Sequence, residues 1–485
     1  MKKTLYMSLV LSSLLMADTD LGLLKEQVAQ QQKMINKLLE KIEAIEKASA
    51  AQPRVAEQNS STKKAISQNE KEYKHYSNKT KTFGQTAYLP DISVVGDMSY
   101  VHRSKKDASL QHLEVPGVAH GLLASHNHDG DSHSPYNAKN GFNLNYAELG
   151  LSKSVDPFFS FNSIFHFSES GVEIEELYFT TTALGYNTRV KGGKFNSDFG
   201  YLNSKHHHAW SFADMPLVYE SFLGMHGINE KGLQLQWTAP TSNYLMFGLE
   251  ALQGENEQMF GNSEIHLEDM NITALEGIDP APAKKAPSLF IGYIKSSFDI
   301  GDTTVLGGVS YAKGSSRIDH TGDEEGPHAF SGDSELYGID LKVKHYFDSY
   351  SSLEWQSEIL SRKMEGTQYA LNTAGDALVS PSMTKKQSGL YSELLYAPNK
   401  SWRMGARIDS IFKNDVIANG VNQDKPDNLN KYSAMVEYYT SEFARLRLQY
   451  NHNKALYNED GQRNDINSII LQANFAIGAH GAHSF

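Results

Sequence analysis

Beyond Asp91, apolar and polar side chains alternate with a period of two, in segments of about ten to fifteen residues bounded by Gly, Asn, Asp and Pro. Leu233, Leu235 and Trp237 alternate with Gln234, Gln236 and Thr238, and Tyr337, Ile339, Leu341 and Val343 with Gly338, Asp340, Lys342 and Lys344. Trp402, Met404, Ala406, Ile408 and Phe412 alternate with Arg403, Gly405, Arg407, Asp409 and Lys413; Ala444, Leu446, Leu448 and Tyr450 alternate with Arg445, Arg447 and Gln449. One face of each segment suits lipid and the other suits water. The pattern predicts sixteen strands, at 92–104, 141–155, 158–170, 172–184, 186–200, 232–241, 243–256, 287–300, 303–316, 332–347, 350–364, 386–397, 400–413, 429–440, 443–455 and 466–478.

The connections sort into two kinds. Seven are short: Asp156-Pro157, Gly185-Tyr186, Thr241-Ser242, Gly301-Asp302, Asp348 to Tyr350, Pro398-Asn399 and Ser441-Glu442. Those alternating with them are long, at 105–140, 201–231, 257–286, 317–331, 365–385, 414–428 and 456–465, except for a tight one around Gly171. A bacterial outer-membrane barrel has short periplasmic turns and long outer loops. The expected fold is therefore an all-β, 16-stranded antiparallel transmembrane barrel over residues 91–485. Its last strand, Ser468 to Ile477, precedes a tail, Ala479-His480-Gly481-Ala482-His483-Ser484-Phe485, that ends on an aromatic residue.

The first 90 residues follow other periods. Met1-Lys2-Lys3 and the apolar stretch Leu5 to Met16, ending at Ala17-Asp18, have the layout of a secretory signal over 1–17 and are too short to span a bilayer as a helix. In 18–47, Leu21, Val28, Ile35 and Ile42 occupy one heptad position and Leu24, Gln31, Leu38 and Ile45 the other, which predicts a periplasmic coiled coil with a polar layer at Gln31. A lone amphipathic helix is the alternative. Residues 48–90, rich in Ser, Asn, Gln, Lys and Glu, read as a flexible linker.

Composition narrows the partners. The formal net charge of −12 argues against nucleic acid. Zero cysteines remove disulfides, thiolate metal sites and a lipid-anchoring cysteine. With no apolar run of about 18 residues elsewhere, a helical membrane protein is excluded.

Candidate chemistry concentrates in the outer connections. The third one, Gly200 to Glu220, carries Tyr201, Trp210, Phe212, Met215, Leu217, Val218 and Tyr219, apolar enough that it is expected to fold into the barrel and pack on the inner wall. It also carries His206, His207 and His208, although three consecutive residues cannot all point one way. The first outer loop holds His120, His126, His128, Asp129, Asp131 and His133; others add His266-Leu267-Glu268-Asp269, and His320 with Asp323, Glu324, Glu325 and His328. Imidazole and carboxylate donors without thiolate suit Zn or another borderline divalent cation, held labilely. Polar loops without a metal are the alternative. The candidate ligands are His126, His128, Asp131, His133, His206, His207 and His208, and no cofactor is required. No spacing singles out a nucleophile and its base, so an enzyme is not expected.

An inward-folding third loop and an aromatic C-terminus on such a barrel resemble the trimeric outer-membrane porin superfamily, nearest its phosphate-selective-porin-like branch with an N-terminal coiled coil. The resemblance implies a homotrimer in outer-membrane lipid of a Gram-negative cell, passing small solutes or ions. It also implies a constriction in which acidic loop residues, Asp198, Asp214 and Glu220, face basic wall residues, Arg403, Arg407, Arg445 and Arg447, with Lys413 on the same wall. Ordinary water-facing arginines are the alternative. Of the lysines and arginines that a phosphate-selecting loop would need, only Lys205 is present. Lys205 to Pro216 and Gly478 to His483 carry a looser likeness to zinc-regulated, receptor-like outer-membrane barrel proteins, which implies divalent-metal acquisition by a barrel that is chiefly an anchor. An energy-coupled receptor needs a plug domain and usually 22 strands, and the chain has room for neither.

Overall fold

The computed structural model describes residues 89–478, apart from 111–112, 121–135, 257, 271–280, 323–326, 373–374, 376 and 459. The secretory signal, the heptads, most of the linker and the tail to Phe485 lie outside the described residues, as do His126, His128, Asp131 and His133.

Every one of the sixteen expected segments is a strand. They are β1 Asp91–Arg103, β2 Gly141–Ser154, β3 Phe159–Ser168, β4 Gly171–Thr181, β5 Thr188–Asn196, β6 Asn229–Thr238, β7 Tyr244–Leu252 and β8 Leu289–Ile300. Then come β9 Thr303–His320, β10 His328–Tyr346, β11 Ser352–Leu371, β12 Ser382–Asn399, β13 Trp402–Ala418, β14 Leu429–Ser441, β15 Ala444–Asn453 and β16 Ile466–Gly478. Each pairs antiparallel with its successor, and β16 pairs with β1 from Ser93↔Gly478 to Arg103↔Ser468, closing the sheet into a barrel. Closure satisfies the edge hydrogen bonds that an open sheet would leave bare.

Alternation runs inside out compared with a soluble protein. Leu448 and Leu471 are 53% and 51% exposed, whereas their neighbours Arg447 and Gln472 are each 1% exposed. The outer surface carries an aliphatic band between aromatic residues. On β8, Phe290 and Phe298 flank Ile294; on β14, Tyr432 and Tyr438 flank Val436. Apolar side chains of this kind cover the barrel only where the surroundings are apolar too.

The buried core lies inside the barrel. Phe199, Leu217, Val218, Phe222 and Leu223 of the third outer connection pack with inward Leu336, Leu360, Tyr391 and Ile411 of β10 to β13. The first outer connection joins them through Leu110, Leu113, Val115 and Val118. Successive carbonyls of this segment meet the wall: Asn414 Nδ2 donates to Pro116 O, Gln387 Nε2 to Gly117 O and Arg362 Nη2 to Val118 O, each at 2.8 Å.

Two differences from the sequence reading have local causes. The strands from β9 to β13 run past their expected outer ends, to 20 residues in β11. Their outer parts, such as His328 to Ser334, lack the alternation of apolar and polar residues, and the ladder of hydrogen bonds continues where the hydrophobic period stops. Second, a bulge leaves Phe412 unpaired between Ser388↔Lys413 and Gly389↔Ile411. The extra residue reverses the side-chain phase, so Lys413 faces outward beside Asp415 at 3.4 Å instead of inward.

Candidate functional site

Residues 197–228, between β5 and β6, form loop 3, the third outer connection. Its backbone is fastened to wall side chains around the barrel. Gly200, at φ +62°, turns the chain inward where an added Cβ would lie 2.4 Å from both Glu358 Oε2 and Tyr219 Oη. Glu358 of β11 then accepts from Tyr201 N (2.8 Å), Leu202 N (2.9 Å), Tyr219 Oη (2.7 Å) and Tyr391 Oη (2.5 Å).

Helix α1, Leu217–Leu223, has no side-chain cap of its own, and the wall supplies one: Leu217 N donates to Asp409 Oδ1 at 3.0 Å. Farther round, Ala213 N donates to Gln449 Oε1, Arg445 Nη2 to His208 O and Arg447 Nη2 to Trp210 O. Loop 3 is thus bonded to β11, β13 and β15.

Of the charged residues singled out from the sequence, Asp214 of loop 3 and Arg407 of the wall meet in direct contact. Asp214 pairs with Lys431 at 2.6 Å and Arg407 at 3.0 Å, and Arg407 also holds Asp409 at 3.0 Å. Burial alone would raise the Asp214 pKa, but Lys431 and Arg407 hold it below the usual carboxylate range. Arg403, Arg445 and Arg447 converge on Glu437 of β14, at 2.5, 3.4 and 2.6 Å. Asp198 accepts from Gln236 Nε2 at 2.6 Å and Gln234 Nε2 at 3.1 Å.

Glu220 on α1 lines a cavity with Arg103, Asp214 and Lys431, and burial pushes its carboxyl up to about 7. Lys205 and Lys342 sit over the Tyr201 ring, and Lys295 Nζ donates to Gly200 O at 2.7 Å, so the wall supplies cations that a reading of loop 3 alone does not reveal.

The histidine triplet divides. His207 stacks on Tyr136, with centroids 4.0 Å apart, and its Nε2 donates to Ala213 O at 3.1 Å. Burial, only partly opposed by Asp97, lowers its pKa to about 4, so it packs as a neutral ring. His206 and His208 lie parallel on the other side, toward β2, β3 and β4. There they meet Glu148, His166, Glu175 and Glu176, which are dispersed in the sequence. Elsewhere, His266 lies 3.4 Å from Asp319, and the rings of His320 and His328 meet edge to face.

No family model matches the chain. It is 46% identical over 404 residues to an uncharacterized protein of Aquifex aeolicus (strain VF5), covering 83% of this chain and 81% of that protein. Among solved structures it is similar to the outer membrane channel DcaP of Acinetobacter baumannii, at 12% identity and a TM-score of 0.44, over 80% of this chain and 96% of the other. Salmonella typhi OmpF in complex with daunomycin gives 10% identity and a TM-score of 0.44 over 81% and 99% of the two chains. Outer-membrane expressed OmpT of Vibrio cholerae gives 10% and 0.41 over 80% and 97%.

Proposed function

We propose for this chain, which belongs to the same family as the uncharacterized Aquifex aeolicus protein, the function of an outer-membrane channel for passive, weakly selective passage of small solutes or ions, narrowed by loop 3. The observation that carries this reading is a closed barrel with an apolar outer face and a polar inner face, across whose lumen one connection is fastened by wall carboxylates and guanidiniums. Fixed charges in a narrow, poorly hydrated passage act on a solute more strongly than the same charges on an open surface. Purified protein in planar bilayers should give discrete conductance steps; a silent barrel overturns the proposal.

Membrane residence has its own test. Leu471 lies in the aliphatic band, and Leu471→Arg should destabilise the vesicle-embedded protein by about 2–4 kcal/mol in urea unfolding. An unchanged midpoint would mean that this face meets water.

Selectivity should depend on pH through Glu220. Lys431, Asp214, Arg407, Asp409 and Arg103 surround it, and its carboxyl is neutral below about 7 and charged above. As pH rises from 6 to 8 the lumen gains a negative charge, and the reversal potential in a KCl gradient should move toward cation preference. Glu220→Gln should abolish that movement.

A further inference from the structure

One cluster is not used by the channel reading. On β4, Glu175 is an unpaired bulge residue, because Ile164 pairs with Glu176 while Phe165 pairs with Ile174. The bulge turns two successive carboxylates, Glu175 and Glu176, to the buried side, where strict alternation would place only one. Glu148 of β2 and His166 of β3 project from the neighbouring strands to the same point, and loop 3 brings His206 and His208 down on it.

The contacts have the spacing of ligands. His166 Nε2 lies 3.2 Å from Glu148 Oε2, His206 Nδ1 3.2 Å from Glu175 Oε2, and His208 Nδ1 3.1 Å from Glu148 Oε2. Donor atoms of Glu148, Glu175 and His206 all lie within 4.8 Å of one another. Nitrogen and oxygen donors about 2.0–2.1 Å from a tetrahedral Zn are separated by about 3.3 Å. His166 Nε2, 2.6 Å from Glu175 Oε2, lies beside this trio and must shift to join it as a fourth ligand. Glu175 Oε2 is buried between His166 Nε2 and His206 Nδ1, the latter buried as well.

The surroundings also fit a metal centre. The other nitrogen of His206, Nε2, donates to Glu176 Oε2 at 3.2 Å, and Glu176 Oε1 accepts from Asn196 N at 2.8 Å. A carboxylate on the far nitrogen is what orients a metal-bound imidazole and strengthens it as a ligand. A cavity lined by Tyr146, His166, Ser168, Gly171 and Glu173 gives a path from the tight β3–β4 turn.

We infer that Glu148, His166, Glu175 and His206 form a binding site for a divalent transition-metal cation of the zinc class, with Glu176 as outer partner of His206, and that the cation ties loop 3 to β2, β3 and β4. Mixed imidazole and carboxylate donors favour such a cation over Mg²⁺ or Ca²⁺, which prefer all-oxygen shells.

The test uses the full-length folded protein in detergent, stripped with chelator, with His126, His128 and His133 replaced by Ala so that the first outer loop contributes nothing. Calorimetry with Zn²⁺ alone should give one equivalent per chain, undisturbed by excess Mg²⁺, and cobalt substitution should give the visible absorption of a low-coordinate site. Glu175→Gln, nearly isosteric, should remove the equivalent, and Glu176→Gln should weaken it by roughly 10–100-fold. Circular dichroism and heat-dependent gel mobility check that each variant is folded; should Glu175→Gln not fold, Glu148→Gln replaces it.

Absence of stoichiometric Zn²⁺ binding in the parental protein overturns the site, because a hydrogen-bonded His–Glu network alone needs no cation. So does binding that survives both Glu175→Gln and Glu148→Gln. Neither readout involves conductance, so the site and the channel proposal can fail separately.

Discussion

Replacing Glu358 by Ala should free the first turn of loop 3, lower the stability of the barrel by at least about 3 kcal/mol and raise single-channel conductance. Glu358 is the common acceptor of two backbone amides of loop 3, a tyrosine hydroxyl of α1 and a tyrosine hydroxyl of β12. A buried donor left without a partner costs about 1–3 kcal/mol, and water entering the gap recovers part of the total for four of them. The cheapest relaxation is for Tyr201, Leu202 and α1 to leave the wall. Urea unfolding in lipid vesicles measures the first effect and bilayer recording the second. Wild-type conductance from a stably folded variant would mean that loop 3 does not limit the pore.

Glu437→Gln should be comparably costly for a different reason. The single carboxylate lies among the guanidiniums of Arg403, Arg445 and Arg447, all on the inner wall. Removing one partner of a buried ion pair typically costs about 3–5 kcal/mol, because the opposite charge is left uncompensated. Here Arg445 and Arg447 also hold the carbonyls of His208 and Trp210, so the loss should reach loop 3. Protease digestion of the folded variant should cut between Ser204 and Asp214 where the wild type resists. Equal resistance and an unchanged unfolding midpoint would count against this anchor.

The barrel was legible because lipid outside and polar groups inside impose a period of two over sixteen segments. Residues such as Leu233, Gln234, Leu235 and Gln236 carry that period without exception. The inward course of loop 3 could be read from Phe212, Leu217, Val218 and Tyr219, which an exposed loop would leave in water. The same argument applied to Leu110, Leu113, Val115 and Val118 would have found the first connection inside as well.

The wall half of the histidine cluster was not legible. Glu148, His166 and Glu175 belong to three strands and come together only through register, and the bulge that aims Glu175 breaks the alternation on which the strand reading depends. Adjacent Glu175-Glu176 within an otherwise alternating segment is the one mark it leaves in the sequence. At Phe412 a bulge had the opposite consequence, turning Lys413 away from the lumen.

The unequal strand lengths give the molecule a sidedness. Strands β9 to β13 have 17 to 20 residues, whereas β3 to β7 have 9 to 11. The 6 to 11 additional residues of tilted strand add roughly 15–30 Å of height. The outer mouth is therefore a parapet on one flank and a sill on the other, and the sill, at Ser168 to Gly171, stands directly over His166. The shortest distance from the rim to the buried imidazole of His166 therefore starts at the sill.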